Sequence, residues 1–99
     1  MCIRDSSSSS VLDELEETID TRFKEANMSS YTFQLYRDGI KEIAKKINEE
    51  AGEVSISAVT DDGRVIDESA DLMYHLLVML RKLNLSHSDV FQELKNRSR

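Results

Sequence analysis

The sequence predicts an all-α domain, and three observations carry that expectation. There is no proline and there are only three glycines in 99 residues. Apolar residues recur at spacings of three and four along most of the chain, the period of a helix face. One segment, "LMYHLLVML" from Leu72 to Leu80, is apolar nearly all the way round, the pattern of a helix buried on every side.

About five helices follow in order. The opening "MCIRDSSSSS", residues 1–10, has low complexity and no periodicity, so it is expected to be a disordered or non-native tail ahead of one domain over residues 11–97. Ser10 is the expected N-cap of the first helix, whose stripe is Val11, Leu12, Leu15, Ile19 and Phe23. "EANMSS" breaks it. Ser30 then caps a short helix carrying Tyr31, Phe33, Leu35 and Tyr36, which Gly39 interrupts. The third helix carries Ile40, Ile43, Ala44, Ile47, Ala51, Val54 and Ala58 on one face and stops at "TDDG". The fourth runs from about Arg64 to Asn84. Ser86 caps the fifth, with Asp89 in the capping-box position and Val90, Phe91 and Leu94 facing inward.

A chain of this size buries only about 60–65% of its unfolded surface. With Cys2 as the one cysteine, no internal disulfide can compensate. A homodimer would supply the missing burial: the third and fourth helices form an antiparallel pair, and two such pairs make a four-helix core. The net charge of −6, from 19 acids against 13 bases, argues against nucleic acid as a partner. No apolar run approaches the roughly 20 residues that span a bilayer, so no membrane partner is expected. The lone cysteine and the lack of a signal-peptide core suit a reducing cytoplasmic location.

The acids are not evenly spread. "KKINEEAGE", Lys45 to Glu53, is followed by "DESAD", Asp67 to Asp71. On a wheel with Glu50 at zero the apolar stripe of the third helix centres at about +70°, Glu53 at about −60° and Glu49 at about −100°. Glu50 and Glu53 therefore border the buried face, while Glu49 points outward. Glu68 and Asp71 repeat the i, i+3 spacing on the fourth helix, with His75 one turn on. Two such pairs on antiparallel neighbours can converge. Two unit charges about 6 Å apart repel by roughly 3 kcal/mol at an effective dielectric near 20, so a cation is the natural counter-charge. Oxygen ligands without a cysteine or histidine cluster select Mg²⁺, or Mn²⁺, over Zn²⁺. A plainer reading competes. Asp67 and Glu68 suit a helix N-terminus, and Lys45–Glu49 and Lys46–Glu50 are ordinary i, i+4 surface pairs.

The wider context carries a resemblance. "EEAGE" and "ESAD" match the E-E-x-x-E and E-x-x-D signature of the all-α, MazG-like nucleoside triphosphate pyrophosphohydrolases. "SSYTFQLYRDGIKEIAKKINEEAGEV", "ESADLMYHLLVMLRKLNLSHSDVFQELKNR" and "VLDELEETIDTR" together resemble the phosphoribosyl-ATP pyrophosphohydrolase family of histidine biosynthesis, over roughly Val11 to Arg97. Asn48, where the family's run suggests glycine, and the serines of "EVSISA" depart from that pattern. The resemblance implies Mg²⁺-dependent hydrolysis of phosphoribosyl-ATP, a small-molecule nucleotide, to phosphoribosyl-AMP and pyrophosphate. It implies Glu50, Glu53, Glu68 and Asp71 as metal ligands, and Glu49 with Glu50 as the catalytic carboxylates. A fused or separate cyclohydrolase is the partner it implies.

Other residues stay open at this level. Lys46 is a candidate phosphate contact or an exposed ion pair, and Tyr31 a nucleotide contact or core aromatic. His75 is read as a structural, hydrogen-bonded histidine, and His87 as a surface residue of a helix cap. Arg37, Arg64 and Arg81 compete for the ribose phosphate, and Met28, Met73 and Met79 read as core filler. Two further functions share the pattern: a MazG-like housecleaning hydrolase of ordinary (deoxy)nucleoside triphosphates, and a non-catalytic helical dimerisation module.

Overall fold

The computed structural model describes the backbone of residues 3–98 and the side chains of residues 11–98. Among the described residues there are five helices and no strand: α1 (Ile3–Glu25), α2 (Tyr31–Asp38), α3 (Ile40–Thr60), α4 (Val65–Lys82) and α5 (His87–Arg97). The first helix begins seven residues before its expected cap at Ser10. Serine weakens a helix but does not forbid one, so helical backbone continues through the serine run and no cap forms there. Residues 1 and 2 of the expected tail lie outside the described residues.

The internal boundaries follow local chemistry. The Ser30 hydroxyl accepts from the Phe33 N–H at 3.2 Å, starting α2. Gly39 ends α2 and begins α3 at φ 99°, a backbone conformation that side-chain-bearing residues rarely adopt. The α3 helix stops where Asp61 turns left-handed (φ 54°). The next residue, Asp62, accepts from the Arg64 N–H at 2.9 Å and from the Ser57 hydroxyl. Ser57 is buried, so the second serine of "EVSISA" has a turn-closing role where an apolar residue was expected. At α5 the Ser86 hydroxyl accepts from Ser88 N–H at 3.1 Å, and the Asp89 carboxylate accepts from Ser86 N–H at 2.9 Å.

The core is small: Ile19 from α1, Leu35 from α2, Ile43 from α3, and Leu77 and Val78 from α4. The α3–α4 hairpin is the most extensive helix pairing, and α1 and α2 lie across it. Much of the apolar stripe finds no partner within one chain. Ile56, Val59, Ile66, Met73, Val90, Phe91 and Leu94 are exposed. Met73, Val90 and Phe91, with Leu76 and Leu80, help line an apolar groove of about 310 Å³ between α4 and α5. Met73 is therefore not core filler within this chain.

His87 corrects the expectation of a surface residue: it is 5% exposed. Its backbone N–H donates to the Glu16 carboxylate at 2.6 Å and the Ser86 hydroxyl donates to the same group at 2.9 Å. Nδ1 lies 3.0 Å from Glu16 Oε2, a close charge contact without hydrogen-bond alignment. Glu16, itself buried, thus ties the start of α5 to α1. Burial alone would raise its pKa. Hydrogen bonds from His87 and Ser86 and the charge of the His87 ring outweigh that and hold it below the ordinary 4.5. A carboxyl with a depressed folded pKa contributes stability that is complete above the unfolded pKa and lost as pH falls through the folded one. Glu16→Gln is expected to cost about 1–3 kcal/mol near neutral pH, the range for leaving buried donors poorly paired. Thermal melts from pH 7 down to pH 3 check this. The variant's stability should also fall less than that of the unsubstituted chain below about pH 4.5.

Candidate active site

The site is built on the α3–α4 hairpin. Glu50 and Lys46 are half-buried on the side of α3 facing α4, and Lys45 and Glu49 are exposed, as the wheel places them. Glu53, expected at the border of the buried face, is exposed as well, since it lies about 130° from the centre of the apolar stripe against about 70° for Glu50. On α4, Glu68 is half-buried and Asp71 exposed, and His75 follows one turn later with 5% exposure.

His75 is the hub. Its Nδ1 is 2.9 Å from the Asp71 carbonyl oxygen and 2.6 Å from Glu50 Oε1, and its Nε2 is 2.7 Å from the Tyr31 hydroxyl. The histidine ring is also packed edge-on by Tyr31 and Tyr74, with centroids 5.7 and 5.4 Å away. The Tyr74 hydroxyl in turn bonds the Thr32 hydroxyl of α2. One Nδ1–H cannot serve two acceptors, and it is aligned on the Asp71 carbonyl. Glu50 Oε1 therefore has a near neighbour but no formed hydrogen bond, and it is buried.

Electrostatics at Glu50 follow from this placement. Burial pushes its pKa up from the ordinary carboxylate value, and the nearby charges of Asp71 and Glu53 push the same way, while His75 and Lys46 pull down. Desolvation is the largest of these effects, and the charges around Glu50 are of both signs. Burial also raises the Tyr31 hydroxyl, helped by the charges of Glu50, Tyr74, Glu42 and Asp71. Tyr31 is nonetheless nearly half exposed, with its ring available at the mouth of the site.

The structure thus groups Glu50, Glu53, Asp71, Lys46, Tyr31 and His75. Glu68 sits beside Arg64, whose Nε is 3.4 Å from Glu68 Oε2 and whose Nη1 is 3.5 Å from Asp67 Oδ2. Of the three arginines, Arg64 alone contacts a candidate ligand. Arg81 pairs with Asp20 at 2.8 Å and Arg37 with Asp38 at 2.9 Å. Among the described residues, no three acidic, histidine or cysteine side chains converge closely enough to hold a metal ion. The donor chemistry still suits a hard cation: Asp71 and Glu53 lie near enough to Glu50 to raise its pKa, and Glu50 Oε1 is buried beside His75 Nδ1 with no formed hydrogen bond. Side-chain rotations of Glu53, Asp71 and Glu68 would be needed to complete a shell around Glu50.

A model of the phosphoribosyl-ATP pyrophosphohydrolase family matches residues 12–98. The chain belongs to this family. A Phosphoribosyl-ATP pyrophosphatase of Pyrobaculum neutrophilum is 49% identical over 90 residues, 90% of this chain and 96% of that protein. The protein of the same name from Pyrobaculum aerophilum is 48% identical over 88 residues, 88% of this chain and 94% of its own length. The Histidine biosynthesis bifunctional protein of Campylobacter jejuni is 46% identical over 84 residues, which are 84% of this chain but 41% of that longer protein. The family therefore occurs both as a chain of this length and as part of a larger one. The span matched by the pyrophosphohydrolase model contains every candidate residue from Tyr31 to Asp71.

Proposed function

We propose that the chain hydrolyses phosphoribosyl-ATP to phosphoribosyl-AMP and pyrophosphate with Mg²⁺, or Mn²⁺ in its place. The observation that carries this reading is the buried Glu50 oxygen, which forms no hydrogen bond and has the carboxylates of Asp71 and Glu53 nearby, in a chain of the pyrophosphohydrolase family. Glu50, Glu53, Glu68 and Asp71 would hold the ion, Glu68 after release from Arg64. An ion bound there supplies charge neutralisation for the triphosphate and Lewis acidity towards water. Glu49, exposed and one residue from Glu50, would hold a second ion or orient the attacking water, whose proton a free carboxylate then takes. Lys46, half-buried on the Glu50 side of α3, would meet a phosphate oxygen, and the open face of the Tyr31 ring would meet the nucleotide.

The active form we propose is a homodimer in the reducing cytoplasm, its two α3–α4 hairpins packed as a four-helix bundle. The surface supports this. The groove between α4 and α5 is lined almost entirely by apolar side chains. No described helix is long and apolar enough to cross a membrane. A cyclohydrolase, fused or separate, is the partner expected to take the product.

The test is pyrophosphate release with Mg²⁺, comparing phosphoribosyl-ATP with a panel of ordinary nucleoside triphosphates. A preference for phosphoribosyl-ATP of at least about a hundredfold in kcat/KM is the expected result, because a ribose-phosphate pocket left unfilled forfeits about 3 kcal/mol or more of transition-state binding. Turnover of the panel alone would keep the metal site and transfer the protein to nucleotide housecleaning. Release from neither would leave the dimerisation module.

A further inference from the structure

We propose that Tyr31 and His75 are a positioning pair that fixes the Glu50 carboxylate for cation binding, with the Tyr31 hydroxyl acting through the histidine. The inference rests on Glu50 being a metal ligand.

Nδ1 of His75 faces two acceptors, the Asp71 carbonyl oxygen at 2.9 Å and Glu50 Oε1 at 2.6 Å. Two acceptors against one ring nitrogen require that nitrogen to carry a proton. In the neutral ring Nε2 then has a lone pair, and the group facing it is the Tyr31 hydroxyl at 2.7 Å, which donates. A hydroxyl on a different helix thus matches the tautomer that keeps the Nδ1 proton on the Asp71 carbonyl and against Glu50.

Geometry adds what a packing role alone would not need. A histidine that only filled space would be satisfied by the Asp71 carbonyl of its own helix. Here the same nitrogen also lies against a carboxylate oxygen on α3 that has no hydrogen-bond partner. His75 thus lies against the side chain of Glu50 while bonded to the backbone of its own helix at Asp71, and so sets the position of the α3 carboxylate relative to α4. Tyr31 on α2 completes the connection at the third helix. Groups that orient metal ligands in this way usually change metal affinity or activity by about 10- to 100-fold when removed.

The test is a Mn²⁺ binding isotherm on the full chain, read from the paramagnetic resonance of free Mn²⁺, together with thermal melts. The variants are Tyr31→Phe, His75→Asn, His75→Leu and Glu50→Gln. Tyr31→Phe keeps the ring and loses only the donor. It should weaken Mn²⁺ binding by about tenfold or more with little change in Tm. His75→Asn retains a donor near the Nδ1 position and should fall between the unsubstituted chain and His75→Leu. In turnover assays the concentration of Mn²⁺ giving half-maximal rate should rise while KM for the nucleotide at saturating metal holds. Unchanged Mn²⁺ affinity in folded Tyr31→Phe and His75→Asn would overturn the pairing and leave a packing role. Should His75→Leu not fold, those two variants decide. A different result marks failure of the underlying reading: no saturable Mn²⁺ binding by the unsubstituted chain, or Glu50→Gln binding Mn²⁺ as well as it does.

Discussion

Glu53→Gln is expected to lower kcat for pyrophosphate release by roughly 100- to 1,000-fold while leaving the thermal midpoint unchanged or slightly higher. The two effects have opposite signs because the residue's charge has opposite consequences in the two states. Glu53 is exposed, so its replacement removes little packing, and surface substitutions of this kind usually fall within about 0.5 kcal/mol. Its charge repels that of Glu50 and helps push the Glu50 pKa up, so an amide relieves strain in the free protein. The same charge is required once an ion and a triphosphate are bound. Losing one preorganised charge at a phosphoryl-transfer site costs about 2.7–4 kcal/mol of transition-state stabilisation. Steady-state kinetics at saturating Mg²⁺, run beside a thermal melt, read both numbers. Full turnover in the variant would remove Glu53 from the ligand set, and a large fall in Tm would make it a structural residue.

That opposition also separates the two readings of the acids. Surface glutamates that only complement a helix dipole or a lysine stabilise the fold when charged. Glutamates gathered for a cation destabilise it until the cation arrives. On the proposed function the raised Glu50 carboxyl is of the second kind; the lowered Glu16 carboxyl, buried and bonded by Ser86 and His87, stabilises the fold when charged, as the first kind does. Both sit in acidic stretches of similar composition, and only the tertiary partners differ.

The same distinction explains what the sequence could show. Helix boundaries set by local chemistry were legible: the Ser30 and Ser86 caps, the Gly39 break and the stop at Asp61 depend on neighbours within a few residues. The face of α3 was legible in part: 100° per residue put Glu50 at the edge of the core and Glu49 in solvent, but it also put Glu53 at that edge, where the structure leaves it exposed. The burial and hydrogen bonding of His75 were legible but its partner was not, and His87 was read wrongly as a surface residue. Each is buried by partners far along the chain, Tyr31 at 44 positions and Glu16 at 71, and no periodicity reports such a partner. The one available signal was burial itself: a polar side chain inside "LMYHLLVML" must be satisfied by something. The choice among Arg37, Arg64 and Arg81 was equally closed to sequence, since Arg81 is taken up by Asp20, 61 positions away.

Phe91→Glu tests the dimer with an effect that one chain alone would not produce. Phe91 is 46% exposed and packs edge-on against His87 at 5.2 Å. In an isolated chain its replacement forfeits partial burial of one ring, about 1–1.5 kcal/mol. In a four-helix dimer the groove holding Phe91 is covered, and the same substitution places an unpaired carboxylate in an apolar interface. Such a charge costs about 3–5 kcal/mol per site, and twofold symmetry presents it twice. Sedimentation should show the unsubstituted chain as a dimer and Phe91→Glu as a monomer. The melting temperature of the unsubstituted chain should rise with protein concentration, and that dependence should vanish in the variant. Leu83→Glu is the comparison: Leu83 is 49% exposed and lies outside the groove, so it should leave association intact. If both variants remain dimeric, another apolar face makes the interface. If the unsubstituted chain is itself monomeric with a concentration-independent melt, the exposed groove is a property of the working enzyme, and catalysis must be completed by residues of one chain.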